Sequence, residues 1–219
     1  MNYTATLPLP GGSRETLMTV NSTSGSLTDP YTPESTCPLY DVQVTQTHMR
    51  LKAMVGRTEF VFDGPACPEG YMLSFTTHET IPLAPGKRLS GQTGALAGEY
   101  LVGVYSPGGV KENHFVIIQS PGGYTGEMYG LVDEKTLEFM ASMGAGPGGG
   151  PSRPLPQLGD KMDENPFSSV TGKAEQFEVV TITGMGSKFR FTGRVEGDDI
   201  LMTLHVTDSH SNILARRQP

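Results

Sequence analysis

Five histidines (His48, His78, His114, His205 and His210) and eight tyrosines are the groups in this chain best suited to moving protons. No His-x-His and no His-Glu-x-x-His occurs, so the zincin and cupin ligand spacings are missing and no metal is expected. No Gly-x-Ser-x-Gly is present, and neither Cys37 nor Cys67 has a histidine beside it in sequence, so no covalent-catalysis motif is visible. What remains is cofactor-free acid–base chemistry, which needs only a tyrosine and a histidine positioned in a dry pocket.

Tyr105 and His114 stand on either side of Pro107-Gly108-Gly109 and are expected to be cross-strand neighbours at about 5 Å. His205, between Leu204 and Val206, is expected to reach the same interior as His114, which precedes Phe115 and Val116. Tyr105, His114 and His205 are therefore the catalytic candidates, with His114 as the proton acceptor because imidazole titrates near neutrality. Tyr100 is a ligand-binding candidate, since a phenol can pack its ring inward and offer one hydrogen bond. Five residues separate it from Tyr105, so in a regular strand only one of the two faces inward. Among the 11 methionines, Met49, Met140 and Met143 are the candidates for a soft, adaptable pocket. Structural histidines and core-filling methionines are the ordinary alternative for all of these positions.

A formal net charge of −7 without a Lys/Arg cluster gives no footprint for a phosphate backbone, so nucleic acid is not an expected partner. The opening MNYTATLPLP lacks the basic and apolar regions of a cleavable signal, and no later stretch approaches a membrane span. A cytoplasmic protein that does not engage a membrane is expected, and two cysteines in such a chain read as reduced thiols.

These side chains must be positioned by strands, because 28 glycines and 17 prolines punctuate short apolar runs. The chain also writes itself twice. Tyr3 to Glu15 matches Tyr100 to Glu112 at an offset of 97, and Thr58 to Phe75 matches Ser187 to Leu204 at an offset of 129. The organisation expected is a first β repeat over 1–80, a connecting segment over 81–97, and a second β repeat over 98–219. The two offsets differ by 32 residues, which places a long insertion in the second copy at about 140–168. Its Gly/Pro-rich part, 144–167, has no apolar periodicity and reads either as a lid or as disorder.

Hairpins are expected at 3–20 and 100–119, with HFVIIQS buried on both faces or set at a barrel seam. A proline-rich connection is expected over 29–39 and a half-buried strand over 42–55, answered by one at 177–185. Strands at 60–64 and 189–193 should pair with 71–76 and 200–207, the latter through the Glu196-Gly197-Asp198 turn. One short helix fits Asp133 to Met143, where Leu137, Met140 and Ala141 share a face.

The order Tyr-x6-Pro-Gly-Gly-x-Arg/Lys, then Gly-x-Leu/Met, then Phe-x-Phe-x-Gly resembles the strand grammar of small calycin-like, lipocalin-like bacterial domains. The first copy departs from it at PACPEG, where an irregular barrel edge is expected. The resemblance implies an all-β, antiparallel up-and-down barrel, here built from two sequence repeats with one short helix and a long Gly/Pro-rich loop. It implies an apolar interior and nothing catalytic. Function is accordingly expected to be that of a cofactor-independent cavity protein for a small hydrophobic molecule. An enzyme of this kind would be an isomerase, cyclase or lyase. A non-catalytic carrier and a structural or assembly β module stay open as alternatives, as does a homodimer.

Overall fold

The computed structural model describes residues 1–9, 12–29, 31–106, 109–144, 156–183 and 186–218. It contains two compact units: Met1–Ile81 with Gly186–Lys188 and His205–Pro219, and Pro82–Met185 with Phe189–Leu204.

Unit 1 is a closed ring of eight strands. Its strands are β1 (Asn2–Leu9), β2 (Gly12–Val20), β3 (Gly25–Asp29), β4 (Thr32–Val44), β5 (His48–Val55), β6 (Thr58–Cys67) and β7 (Gly70–Pro82), and the end of β15 (Asp199–Arg217) is the eighth. Each strand pairs antiparallel with the next, and β15 returns to β1 through Tyr3 opposite Arg217 and Thr4 opposite Arg216.

Unit 2 is a second ring of eight. It runs β8 (Gly86–Ser90), β9 (Gly98–Ser106), β10 (Gly109–Ser120), β11 (Gly123–Leu131), β12 (Lys161–Lys173), β13 (Gln176–Ile182), β14 (Lys188–Glu196) and the start of β15, which pairs back to β8 at Ile200 opposite Gly86. Fifteen strands and one helix among the described residues make the all-β, antiparallel barrel class plain. The strand β8 that closes unit 2 lies in the stretch expected only to connect, and residues 205–219 close unit 1.

An eight-stranded barrel is just wide enough for side chains to fill its interior, and here they do. In unit 1 every second residue turns inward: Met49, Leu51 and Ala53 on β5 meet Phe62 on β6 and Leu73 and Phe75 on β7, all fully buried. Phe75 stacks against both Phe60 and Phe62, with centroids 5.4 and 5.1 Å away. Unit 2 repeats the device with Phe115 tilted against Phe167 at 4.7 Å and set edge-on to Phe191 at 5.2 Å.

Several local expectations are corrected. HFVIIQS is one-sided: Phe115 and Ile117 are buried, whereas Ile118 is 54% exposed, because β10 has only the barrel interior on one face. The proline-rich connection is strand β4, and the strand expected over 42–55 breaks at 45–47, where Thr45 caps a turn by accepting from the amide of His48 at 3.0 Å. The edge expected to be irregular at PACPEG is regular, with β6 continuous to Cys67 and held in one register with β7. The helix α1 (Glu134–Gly144) forms where its spacing indicates, capped by Asp133 Oδ1 accepting from the amide of Thr136 at 2.7 Å. Of the long insertion, residues 145–155 lie outside the described residues, and β12 begins at Lys161.

Candidate functional site

Proline makes the opening in unit 1. Pro33 and Pro38 have no N–H to give to a ladder, and β5 takes up β4 only from Leu39 onward, opposite Ala53. The register then shifts between Tyr40 and Gln43, at Asp41, whose φ is 49°. The first half of β4 is thereby released from the end of β5. Between them lies a cavity of about 440 Å3, within the usual range of ligand pockets.

Its floor is the barrel core itself, reached through Leu7, Leu27 and Phe60, and its rim carries Cys37, Met54 and Val55. Met54 and Val55 are 47% and 50% exposed and give the mouth an apolar rim. The Cys37 thiol donates to the Met54 carbonyl at 3.0 Å, standing in for the amide that the neighbouring Pro38 lacks. Burial pushes this thiol above its ordinary value, and the Met54 contact opposes the shift only in part. It is a packing sulfur rather than an activated nucleophile.

Two charged groups at this mouth, Arg14 and Asp29, are paired with each other. Arg14 Nη1 donates to Asp29 Oδ2 at 3.2 Å, and the amide of Tyr31 donates to Asp29 Oδ1 at 2.9 Å. The Tyr31 amide, and then Arg14, hold the Asp29 carboxyl below the usual carboxylate range. The cavity thus combines apolar side chains with one internally paired charge couple, and Glu34 is a further acid in its lining.

The candidates read from the sequence fall elsewhere. Met49 is fully buried among the core side chains of unit 1. His205 also belongs to unit 1, where its Nδ1 and the Thr80 hydroxyl are 3.4 Å apart. Tyr100 fills the core of unit 2. Met140 is half-buried on α1, and the side chains of Tyr105 and Met143 lie outside the described residues.

The expected neighbours Tyr105 and His114 are not neighbours in the register. His114 stands opposite Leu101, and Tyr105 opposite Val110, because the turn closes between Ser106 and Gly109 and the strands pair from there outward. His114 has other company. Its Nδ1 is 2.7 Å from Glu99 Oε1, its ring stacks on Tyr129 with centroids 4.9 Å apart, and Tyr129 donates to the same Glu99 oxygen at 3.2 Å. Lys161 covers the far face of this group, with Nζ 4.0 Å from the Tyr129 centroid and 2.5 Å from Glu127. Burial, and then the Glu99 charge, raise the Tyr129 phenol. Phe115 and Tyr100 face the core, so His114 and Glu99 are on the alternate face of the sheet.

Sequence reasoning did not join Cys37 to Met54 in unit 1, or Glu99 to Tyr129 in unit 2, because each contact links residues distant in sequence. Among the described residues, no group of three or more His, Cys, Asp or Glu side chains gathers as metal ligands would. Comparison with known proteins finds no matching family model, no similar curated protein and no similar solved structure.

Proposed function

We propose that this protein binds a small hydrophobic molecule without a cofactor, as a calycin-like carrier does, in the slot between β4 and β5 of unit 1. One observation carries the reading: a cavity of about 440 Å3 whose floor is buried core and whose rim keeps Met54 and Val55 exposed. Covering such a rim with an apolar guest gains roughly 25 cal/mol for each Å2 removed from water. Among the described residues no histidine lines the slot, and burial raises its thiol rather than activating it, so carriage fits it better than turnover. The free thiols Cys37 and Cys67 suit a reducing, cytoplasmic setting. Native mass spectrometry of the freshly purified chain tests the reading. A co-purified mass released by organic solvent supports it, and an empty chain held in a stable complex favours an assembly module instead.

A second reading rests on His114. A carboxylate at Nδ1 fixes the tautomer and leaves Nε2 as the proton acceptor, which is the arrangement a cofactor-free isomerase, cyclase or lyase would use. His114→Ala with the fold intact decides it, since unchanged turnover of any substrate found would remove the dyad from the chemistry.

A further inference from the structure

Each barrel has a tyrosine on its opening strand set opposite an arginine on its closing strand. Tyr100 on β9 faces Arg88 on β8, and Tyr3 on β1 faces Arg217 on β15. Both phenol rings are buried in their own cores, and directly opposed residues share a face of the sheet.

In unit 2 this mouth is occupied by the chain itself. Arg88 Nη2 donates to the carbonyl of Ala95 at 2.6 Å and Nη1 to that of Ala97 at 3.1 Å. Nη2 also reaches the Tyr100 hydroxyl at 2.6 Å, and that hydroxyl is 2.8 and 3.1 Å from the carbonyls of Ala95 and Leu96. Leu96 is 2% exposed, its side chain taken into the core, and the Arg88 side chain is 4% exposed. Ala95-Leu96-Ala97 is thus a bound tripeptide in all but its covalent connection. Arginine and tyrosine take its carbonyl oxygens, and the barrel takes its leucine.

In unit 1 the same mouth is a cavity of about 560 Å3, lined by Tyr3, Gln46, Cys67, Tyr71 and Arg217 among others. Arg217 is exposed. The Tyr3 hydroxyl has the Met1 sulfur at 3.5 Å, a weak acceptor, while Tyr71 gives its proton to the Thr45 carbonyl at 2.6 Å. Burial raises the Tyr3 phenol, its charge interaction and hydrogen bond with the neighbouring Tyr71 raise it further, and Arg217, across the strand pair, acts in the opposite direction.

We infer that this mouth of unit 1 binds a short extended peptide of the small-Leu-small kind, its carbonyl oxygens taken by Arg217 and Tyr3 as Arg88 and Tyr100 take Ala95-Leu96-Ala97. The site is separate from the apolar slot, and the two cysteines report on them separately: Cys67 lines this mouth and Cys37 the slot.

The test is alkylation of the full chain by iodoacetamide, read by peptide mass mapping, with acetyl-Ala-Leu-Ala-amide as the probe. The peptide is expected to slow labelling of Cys67 with saturation, and to leave Cys37 unchanged. Tyr3→Phe and Arg217→Gln are each expected to weaken that protection at least roughly tenfold, as loss of a hydrogen bond to a charged or buried partner does. Arg216→Gln, the adjacent cation bound to Glu69 at 3.1 Å, should leave it in place. No protection at millimolar peptide in the folded chain overturns the inference, as does equal protection of Cys37 or undiminished protection in Arg217→Gln. Protection by acetate with none by the capped peptide also overturns it, since that would mark a carboxylate site.

Discussion

The Arg88 guanidinium lies 4.6 Å from the Tyr100 ring centroid and donates to the phenolic oxygen at 2.6 Å, with 4% of the arginine side chain left to solvent. A buried cation of this kind is held by carbonyls and a π face rather than by a carboxylate in close contact. The Asp198 carboxylate forms a longer ion pair with it, 3.5 Å from Nε. Arg88→Ala is expected to destabilise unit 2 by about 3 kcal/mol, because the Ala95 and Ala97 carbonyls and the Tyr100 hydroxyl lose their shared donor together. Tyr100→Phe, which removes only the hydroxyl, should cost about 1–2 kcal/mol. Urea denaturation of each variant measures both.

Gly64 and Gly193 mark two close strand approaches. A Cβ on Gly64 would stand 2.0 Å from the Met72 carbonyl oxygen, and one on Gly193 would stand 2.2 Å from that of Leu201. The obstacle is backbone in both cases, so nothing flexible can move aside. Gly64→Ala is expected to destabilise by about 3 kcal/mol, whereas alanine at Gly122, where nothing lies within 4 Å, should have little effect.

Tyr40 supplies a pH signature. Burial, then its hydrogen bond to Glu59 at 2.7 Å, push its phenol from 10.0 up to about 12. A raised folded value means that stability is fully present below pH 10.0 and is lost as pH rises toward 12. Tyr40→Phe should flatten the stability profile in that window, measured as unfolding midpoints from pH 9 to 12. The ultraviolet titration should lose one late-ionising phenol.

Much of this architecture is legible in the residues, and the parts that are not have physical reasons. Hairpins at Pro-Gly-Gly and at Glu196-Gly197-Asp198 announce themselves because glycine is required where φ is positive, as at Gly197 with φ 63°. The Tyr105–His114 pairing fails because the strands pair outward from Ser106 opposite Gly109, which sets Tyr105 opposite Val110, four residues short of His114. Strand β4 is hidden by its prolines, which a barrel tolerates where the neighbouring strand is not taken up. The closing strands had a readable signal: Gly86-Lys87-Arg88 matches Ala215-Arg216-Arg217 at the same offset of 129 already carried by the Phe-x-Phe-x-Gly strands. The slot has no signature at all, since it arises from hydrogen bonds that β4 does not make.

Cys37 anchors the rim of that slot by donating to the Met54 carbonyl. Cys37→Ala removes the donor and is expected to cost about 1 kcal/mol while widening the opening. Cys37→Ser, which keeps a donor, should recover part of the loss. Paired thermal unfolding curves would show it.

The most direct measurement is a titration with N-phenyl-1-naphthylamine, an uncharged apolar fluorophore, followed by thiol alkylation of the saturated chain. Fluorescence should rise to saturation, Cys37 should become resistant to iodoacetamide while Cys67 stays reactive, and Met54→Arg should abolish both effects without lowering the unfolding midpoint. No fluorescence gain, an unprotected Cys37 in the saturated protein, or undiminished binding in Met54→Arg would contradict the assignment of the slot as a site for a small hydrophobic molecule.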